Sequence, residues 1–211
     1  MSGPAIAVID YGAGNLVSIE QALTSVGARV TVARDAEGLR GADALLVPGV
    51  GAALPAMERL TRAGLVEPIR AWIEADRPFL GVCLGLQLLF EASDEDGAQT
   101  LGVLGGRTVR MEDAPTLPHI GWNQVQFRAA HPLFEGIAEG ADFYFVHSYV
   151  GVPTDDAVIA ATTEHGRPFV SAVARGRLLG VQFHPERSGE DGLRLLANFV
   201  GIAAAAARRV A

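Results

Sequence analysis

The chain has no lysine. All 17 of its basic residues are arginine, scattered along 211 residues, and 24 Asp and Glu outweigh them to a net charge of −7. Without a basic block there is nothing to neutralise a row of phosphates, so nucleic acid is not an expected partner. Cysteine occurs once, at Cys83, which excludes an internal disulfide, fits a reducing compartment and leaves one free thiol to be explained. No apolar run is long enough to cross a membrane. The opening Met-Ser-Gly-Pro-Ala-Ile-Ala-Val lacks the charged stretch and cleavage-like site of a secretory signal, so a cytoplasmic protein is expected. Internal repeats, Pro/Ser-rich linkers and shifts of composition are also missing, and residues 1–211 are expected to form one domain.

What the chain does have is apolar residues, 49% of the total, enough for a continuous core. Short runs rich in β-branched residues, Ala5–Asp10, Val30–Ala33, Ala44–Val47 and Phe79–Val82, read as buried strands. Between them, Leu16, Ile19, Leu23 and Val26, then Leu65, Val66, Ile69, Trp72 and Ile73, recur at helical spacing. Such alternation predicts an α/β fold with a mainly parallel central sheet flanked by helices. From Arg107 to Gln182 the texture changes to short runs (Asn123–Phe127, Phe143–Val146, Val158–Ala161, Phe169–Ala174, Leu178–Gln182), expected as antiparallel hairpins added to that sheet. Ser188 is expected to cap a final helix with Glu190 and Asp191 in its first turn, Leu193, Leu196 and Val200 on its buried face, and fraying alanines before Arg208 and Arg209. Asp94-Glu95-Asp96-Gly97 reads as a solvated acidic loop.

Cys83 lies in Gly81-Val82-Cys83-Leu84-Gly85, at the end of a predicted strand and the start of an apolar segment. That is the layout of a nucleophile elbow: glycines let backbone approach a strained residue, and the N–H groups of the turn, Leu84's among them, face a developing oxyanion. The competing account is a cysteine packed as a small apolar side chain. His184-Pro185-Glu186 follows the run Leu178–Phe183, so a base and a carboxylate to orient it emerge at another strand end; an isolated His-Pro is more often a turn. Pro48-Gly49-Val50-Gly51-Ala52 follows a third strand, either as a tight turn or as a second oxyanion donor. Tyr11-Gly12-Ala13-Gly14-Asn15 lacks the third glycine of a dinucleotide fingerprint and the Lys-Ser/Thr of a P-loop, and reads as a turn with Asn15 capping the next helix. His131 and His165 sit beside turn-like residues and are expected in solvent.

Taken in order, Pro48-Gly49-Val50-Gly51, Gly81-Val82-Cys83-Leu84-Gly85-Leu86-Gln87 and Phe183-His184-Pro185-Glu186 resemble the class I (triad) glutamine amidotransferases. Pro118-His119-Ile120-Gly121-Trp122-Asn123 and His147-Ser148-Tyr149 are similar, within them, to the glutaminase subunits of imidazole glycerol phosphate synthases. The resemblance implies a flavodoxin-like sheet and a triad of Cys83, His184 and Glu186. It implies an oxyanion hole from Leu84, Val50 and Gly51, and contacts to L-glutamine from Gly51, Gln87, Ser148 and Tyr149. It also implies no cofactor or metal, and a (β/α)₈ cyclase subunit as partner, met by Asn15, His119, Trp122, Asn123 and Arg187. The family commonly has lysine where this chain has Arg187. Two other classes of reading remain: a cysteine-elbow peptidase or chaperone, and a glutaminase serving another synthase.

Overall fold

In a computed structural model that describes residues 3–14 and 16–208, the elements run β1 (Ala5–Ile9), α1 (Leu16–Ser25), β2 (Arg29–Ala33), β3 (Ala44–Val47), α2 (Ala53–Arg62), α3 (Val66–Glu74), β4 (Phe79–Val82), α4 (Leu84–Gln87), β5 (Ala92–Ser93), β6 (Gly106–Arg110), β7 (His119–Gln124), β8 (Gln126–Phe127), β9 (Asp142–His147), β10 (Tyr149–Pro153), β11 (Ile159–His165), β12 (Arg167–Arg175), β13 (Leu178–Val181) and α5 (Gly189–Ala207). The main sheet has eight strands in the order β2-β1-β3-β4-β13-β12-β11-β8. From β2 to β13 the pairing is parallel, and from β13 to β8 antiparallel. β1 shows why the sheet is covered on both sides: Ile6 and Val8 join the apolar cluster that contains α1 and α5, and Ala7 and Ile9 join the one that contains α2 and α3.

The pairing that matters most joins remote parts of the chain. β13 lies against β4 with Leu178 opposite Phe79 and Val181 opposite Val82, so the residues that follow both strands emerge at one level. β1 and β3 end at the same edge. Four chain segments therefore leave the carboxyl ends of adjacent parallel strands, where open α/β sheets place their ligands.

The second half departs from the expected hairpins. β8, β11, β12 and β13 extend the main sheet, but β5, β6 and β10 form a separate three-stranded sheet, and β7 pairs with β9 as a ribbon of its own. The ribbon alternates by period two: His119, Gly121 and Asn123 pair with His147, Phe145 and Phe143, while Ile120 and Trp122 pair with Val146 and Tyr144. Phe143, Phe145, His119 and His147 are buried and Ile120 and Trp122 exposed.

α5 also differs from expectation. Its buried face is Gly192, Leu195, Leu196, Phe199, Val200, Ala203 and Ala206, which leaves Leu193 at 38% exposure, and packing of the alanines keeps the helix intact to Ala207 instead of fraying. Arg209 lies outside the described residues. Ser188 stands at the helix start without a capping bond; its hydroxyl instead donates to the His184 carbonyl at 2.6 Å and accepts from the Tyr144 N–H at 3.0 Å.

Candidate active site

Cys83 connects β4 to the single turn of α4 with φ 54° and ψ −108°, a conformation that costs a non-glycine residue on the order of 1–3 kcal/mol and persists only where the surroundings hold it. They do: the Cys83 N–H donates to the Val181 carbonyl at 2.8 Å, and the Cys83 carbonyl accepts from the N–H groups of Leu86 and Gln87. A methyl group on Gly85 would strike the Val47 carbonyl, and one on Gly81 the Gly85 backbone, so both glycines are needed for close approach. Cys83 is 5% exposed. Its sulfur is 3.6 Å from Gln182 Nε2, which donates to it, so the thiol does not pack as a purely apolar side chain.

His184 comes to Cys83 from the end of β13. Its N–H donates to the Tyr144 carbonyl at 2.9 Å, its carbonyl accepts from Ser188 Oγ, and its Nδ1 meets Glu186 Oε1 at 2.8 Å. The other ring nitrogen, Nε2, is buried and unbonded, as is Glu186 Oε2. Burial works against a charge on the ring, but the neighbouring Cys83 and Glu186 outweigh it and push the His184 pKa up to about 10. The imidazolium is thus favoured at neutral pH, with one N–H committed to Glu186 and one uncommitted.

The anion side is different. The Leu84 N–H, expected to be free, donates to the Gly49 carbonyl at 3.3 Å. Because a peptide carries its C=O and N–H on opposite sides, the Gly49–Val50 peptide turns its oxygen toward Leu84 and its Val50 N–H away. The loop is braced from beneath: Tyr11, buried, donates its hydroxyl to the Pro48 carbonyl at 3.0 Å, and a side chain on Gly49 would collide with that hydroxyl and with Leu84. Burial and the nearby Cys83 both raise the Tyr11 pKa, more than Arg59 lowers it, so the phenol keeps its proton as a donor. Beyond it Gly51 adopts φ 97° and Val50 is 47% exposed.

Between these parts lies a cavity of about 310 Å³ whose wall includes Gly51, Cys83, Gln87, Glu95, Ser148 and Tyr149. Gln87 donates through Nε2 to the Tyr149 carbonyl at 3.0 Å and to Gln182 Oε1 at 3.1 Å. The acidic loop is solvent-exposed at Asp94, Glu95 and Gly97, as expected, and is also tied to the protein. Asp96 accepts from Leu54 N at 2.6 Å and Asp94 pairs with Arg107. Glu95 faces the cavity, where burial and then Asp96 raise its pKa.

The sequence matches the model of the glutamine amidotransferase class-I family over residues 7–202. The chain belongs to that family. Among amidotransferases of known name, it is 50% identical to an imidazole glycerol phosphate synthase subunit HisH of Chloroflexus aurantiacus, over 92% of this chain and 94% of the relative. It is 45% identical to the HisH subunit of Dehalococcoides mccartyi, over 94% and 97%. The fold is shared with a solved glutamine amidotransferase at TM-score 0.74 and 23% identity, over 93% of this chain and 98% of that one. It is also shared with PurLQS from Thermotoga maritima at TM-score 0.76 and 19% identity, over 94% and 98%.

Residues expected at the partner surface of this amidotransferase fall into two groups. Trp122 is 56% exposed and Ile120 59%; the Trp122 ring meets Tyr144 edge-on at 6.2 Å, and the Arg187 guanidinium lies 4.1 Å over the Tyr144 ring. They form one exposed cluster. His119, by contrast, is 4% exposed and cannot be a surface contact. Asn123 points to the same inner face and donates to the Glu164 carbonyl at 2.8 Å. Asn15 lies outside the described residues. His165, expected in solvent, stacks on His119 with ring centroids 4.0 Å apart, and His131 is half-buried, accepting from Leu133 N at 3.1 Å. Tyr11, Gln182 and Glu95 were given no part in the site from the sequence, and Ser188 was expected only as a helix cap. Only Gln182 was within reach there, since it lies two residues before His184 on an extended chain and shares its side.

Proposed function

We propose that Cys83, His184 and Glu186 are the triad with which this amidotransferase hydrolyses glutamine to glutamate and ammonia. The observation that carries the reading is an imidazole fixed by a carboxylate at Nδ1, with its other nitrogen buried and unbonded, and with Cys83 and Glu186 as the neighbours that favour the protonated ring. Cys83 adds as the thiolate, its proton being the one on His184 Nε2, to the side-chain amide carbon, and the carbonyl oxygen takes the negative charge. His184 gives its Nε2 proton to the amide nitrogen, which leaves as ammonia, and a γ-glutamyl thioester remains. His184 then takes a proton from water; the hydroxide adds, the C–S bond breaks, and glutamate leaves with Cys83 restored. Gly51, Gln87, Ser148 and Tyr149 line the space for the substrate, and Glu95 offers a carboxylate to its ammonium group.

For the oxyanion, the reading requires the Gly49–Val50 peptide to rotate, so that Leu84 is released and Val50, with Gly51, presents an N–H. Each such donor is worth on the order of 3 kcal/mol in the barrier. The rate without a partner is accordingly low.

The named relatives, at 45–50% identity over more than nine tenths of the chain, support the role of glutaminase subunit of imidazole glycerol phosphate synthase, with the whole chain read as one amidotransferase domain. The ammonia passes to a cyclase subunit, a (β/α)₈ barrel, which uses it on a phosphoribosyl substrate in histidine biosynthesis. Trp122 and Arg187 mark the docking face. Neither nucleic acid nor membrane is a partner in this reading, and the site is cytoplasmic; among the described residues no helix is long and apolar enough to cross a membrane. The test is glutamate release from glutamine by purified chain, with and without a cyclase and its phosphoribosyl ligand. Strong stimulation is expected; no release in either condition, with hydrolysis of peptides instead, would end the reading.

A further inference from the structure

Three histidines outside the triad pack together and have no task in the chemistry above. His147 Nδ1 lies 3.0 Å from the Tyr149 carbonyl, His147 Nε2 lies 3.1 Å from His119 Nδ1, and His119 Nε2 lies 3.2 Å from Asn123 Nδ2. His165 and Phe145 stack on His119. Among the described residues no group of His, Cys, Asp and Glu is arranged to hold a metal ion, so the cluster needs another account.

Each link of this chain has one allowed direction. The Tyr149 carbonyl can only accept, so His147 Nδ1 carries a hydrogen. Burial, opposed by the Tyr149 bond and reinforced by His119, His165 and His184, pulls the His147 pKa down to about 3. Its single proton is therefore spent, and Nε2 must accept from His119 Nδ1. Burial and then His165 lower His119 to about 4, so its Nε2 is bare and must accept from Asn123. The orientation of Asn123 is fixed independently: Nδ2 also donates to the Glu164 carbonyl, and Oδ1 accepts from Gln124 N at 2.8 Å.

At the inner end, the same Tyr149 carbonyl accepts from Gln87, Gln87 donates to Gln182, and Gln182 donates to the Cys83 sulfur. At the outer end, Asn123 is the neighbour of exposed Trp122 on β7. We propose that Asn123, His119 and His147 form a one-way hydrogen-bond relay that positions the Tyr149 carbonyl and Gln87, and so couples the surface around Trp122 to the glutamine pocket. The proposal deepens the glutaminase reading and rests on it. These are positioning residues; none touches the reacting atoms.

Two measurements on the full chain test it. Nitrogen-15 spectra of the imidazoles report tautomers directly, and both His119 and His147 are expected as neutral Nδ1–H forms at pH 7; an Nε2–H form of either one overturns the relay. In glutaminase assays with the cyclase bound, Asn123→Ala and His119→Leu are each expected to raise the glutamine KM and reduce partner stimulation by about tenfold, the scale of one coupled buried link. His119→Asn, which keeps a donor toward His147, is expected to recover most of the KM but not the stimulation. Unchanged KM and stimulation in Asn123→Ala and His119→Leu, with melting temperatures near the parent's, would reject the coupling. Should His119→Leu not fold, half-buried Asn123→Ala and the tautomers still decide. A parent chain that releases no glutamate with its partner bound defeats the glutaminase reading instead, and leaves the tautomers to judge the relay's direction.

Discussion

The two sides of the proposed active site, its triad side and its anion side, stand on neighbouring strand ends, yet they are in opposite states. On the triad side, His184 is held by four separate bonds, counting its N–H, its carbonyl, Nδ1 and the Arg187 N–H that also donates to that carbonyl. Cys83 is locked between β4 and β13 by its own backbone. On the anion side, the Leu84 N–H is taken by Gly49, and the loop that follows carries an exposed valine and a glycine at positive φ. Position along the sheet is thus not what makes a catalytic part ready. Readiness follows from how many bonds hold it: the Gly49 carbonyl rests on a weak bond at 3.3 Å, in front of the Tyr11 brace on Pro48, and is easily exchanged, whereas several buried bonds are not.

The hardest test of this contrast is Cys83→Ala. It should abolish glutamate release by about 10⁴-fold or more while glutamine still binds, measured by product release and by isothermal titration; residual turnover would mean that the triad is misassigned. Next in size, Glu186→Gln should cost about 10²–10⁴-fold and also move the pH profile. The charge on Glu186 helps hold the His184 proton, so the high-pH limb of kcat/KM should fall well above the ordinary imidazole value of 6.5 in the parent and shift toward acid in the variant. The sign for stability is the same: His184 binds its proton more tightly folded than unfolded. Its contribution is full below 6.5 and is lost as pH rises toward about 10.

On the anion side the effects should be smaller and partly of opposite sign. Tyr11→Phe removes the donor that braces Pro48 and should destabilise the chain by about 1–3 kcal/mol, a fall of several degrees in Tm. By loosening the loop it should raise the partner-free rate a few-fold; a lower partner-free rate would show that the brace holds the loop in its competent form. The smallest change is Arg187→Lys, which gives up stacking on Tyr144 for about 0.5–1 kcal/mol. It should weaken cyclase binding by several-fold at most and leave the partner-free rate alone, as read by titration and by assay.

Much of the first half could be read directly. β1, β3 and β4 are continuous apolar runs because both faces of a parallel sheet are covered, and that pattern is local. Gly81 and Gly85 around Cys83 were legible for the same kind of reason: an elbow announces itself in five consecutive residues. The ribbon of β7 and β9 was not. His119 and Asn123 looked like surface residues beside Trp122, and only the pairing of β7 with β9 shows that period two turns them inward while Trp122 turns out. Glu95 was hidden similarly: its loop is exposed, as a charged loop reads, and only the bonds of its neighbours to β6 and α2 show it set beside the cavity.

Residue order alone determined the α/β class, the strained cysteine at a strand end and the motif set that marks a class I amidotransferase, because each is written in a short stretch whose backbone physics is local. Which strand lies beside which was decided only in three dimensions. The packing of β13 against β4 brings His184 to Cys83, and the turn of one peptide at Gly49 occupies the Leu84 N–H of the proposed anion site; both depend on contacts between segments that no local pattern encodes.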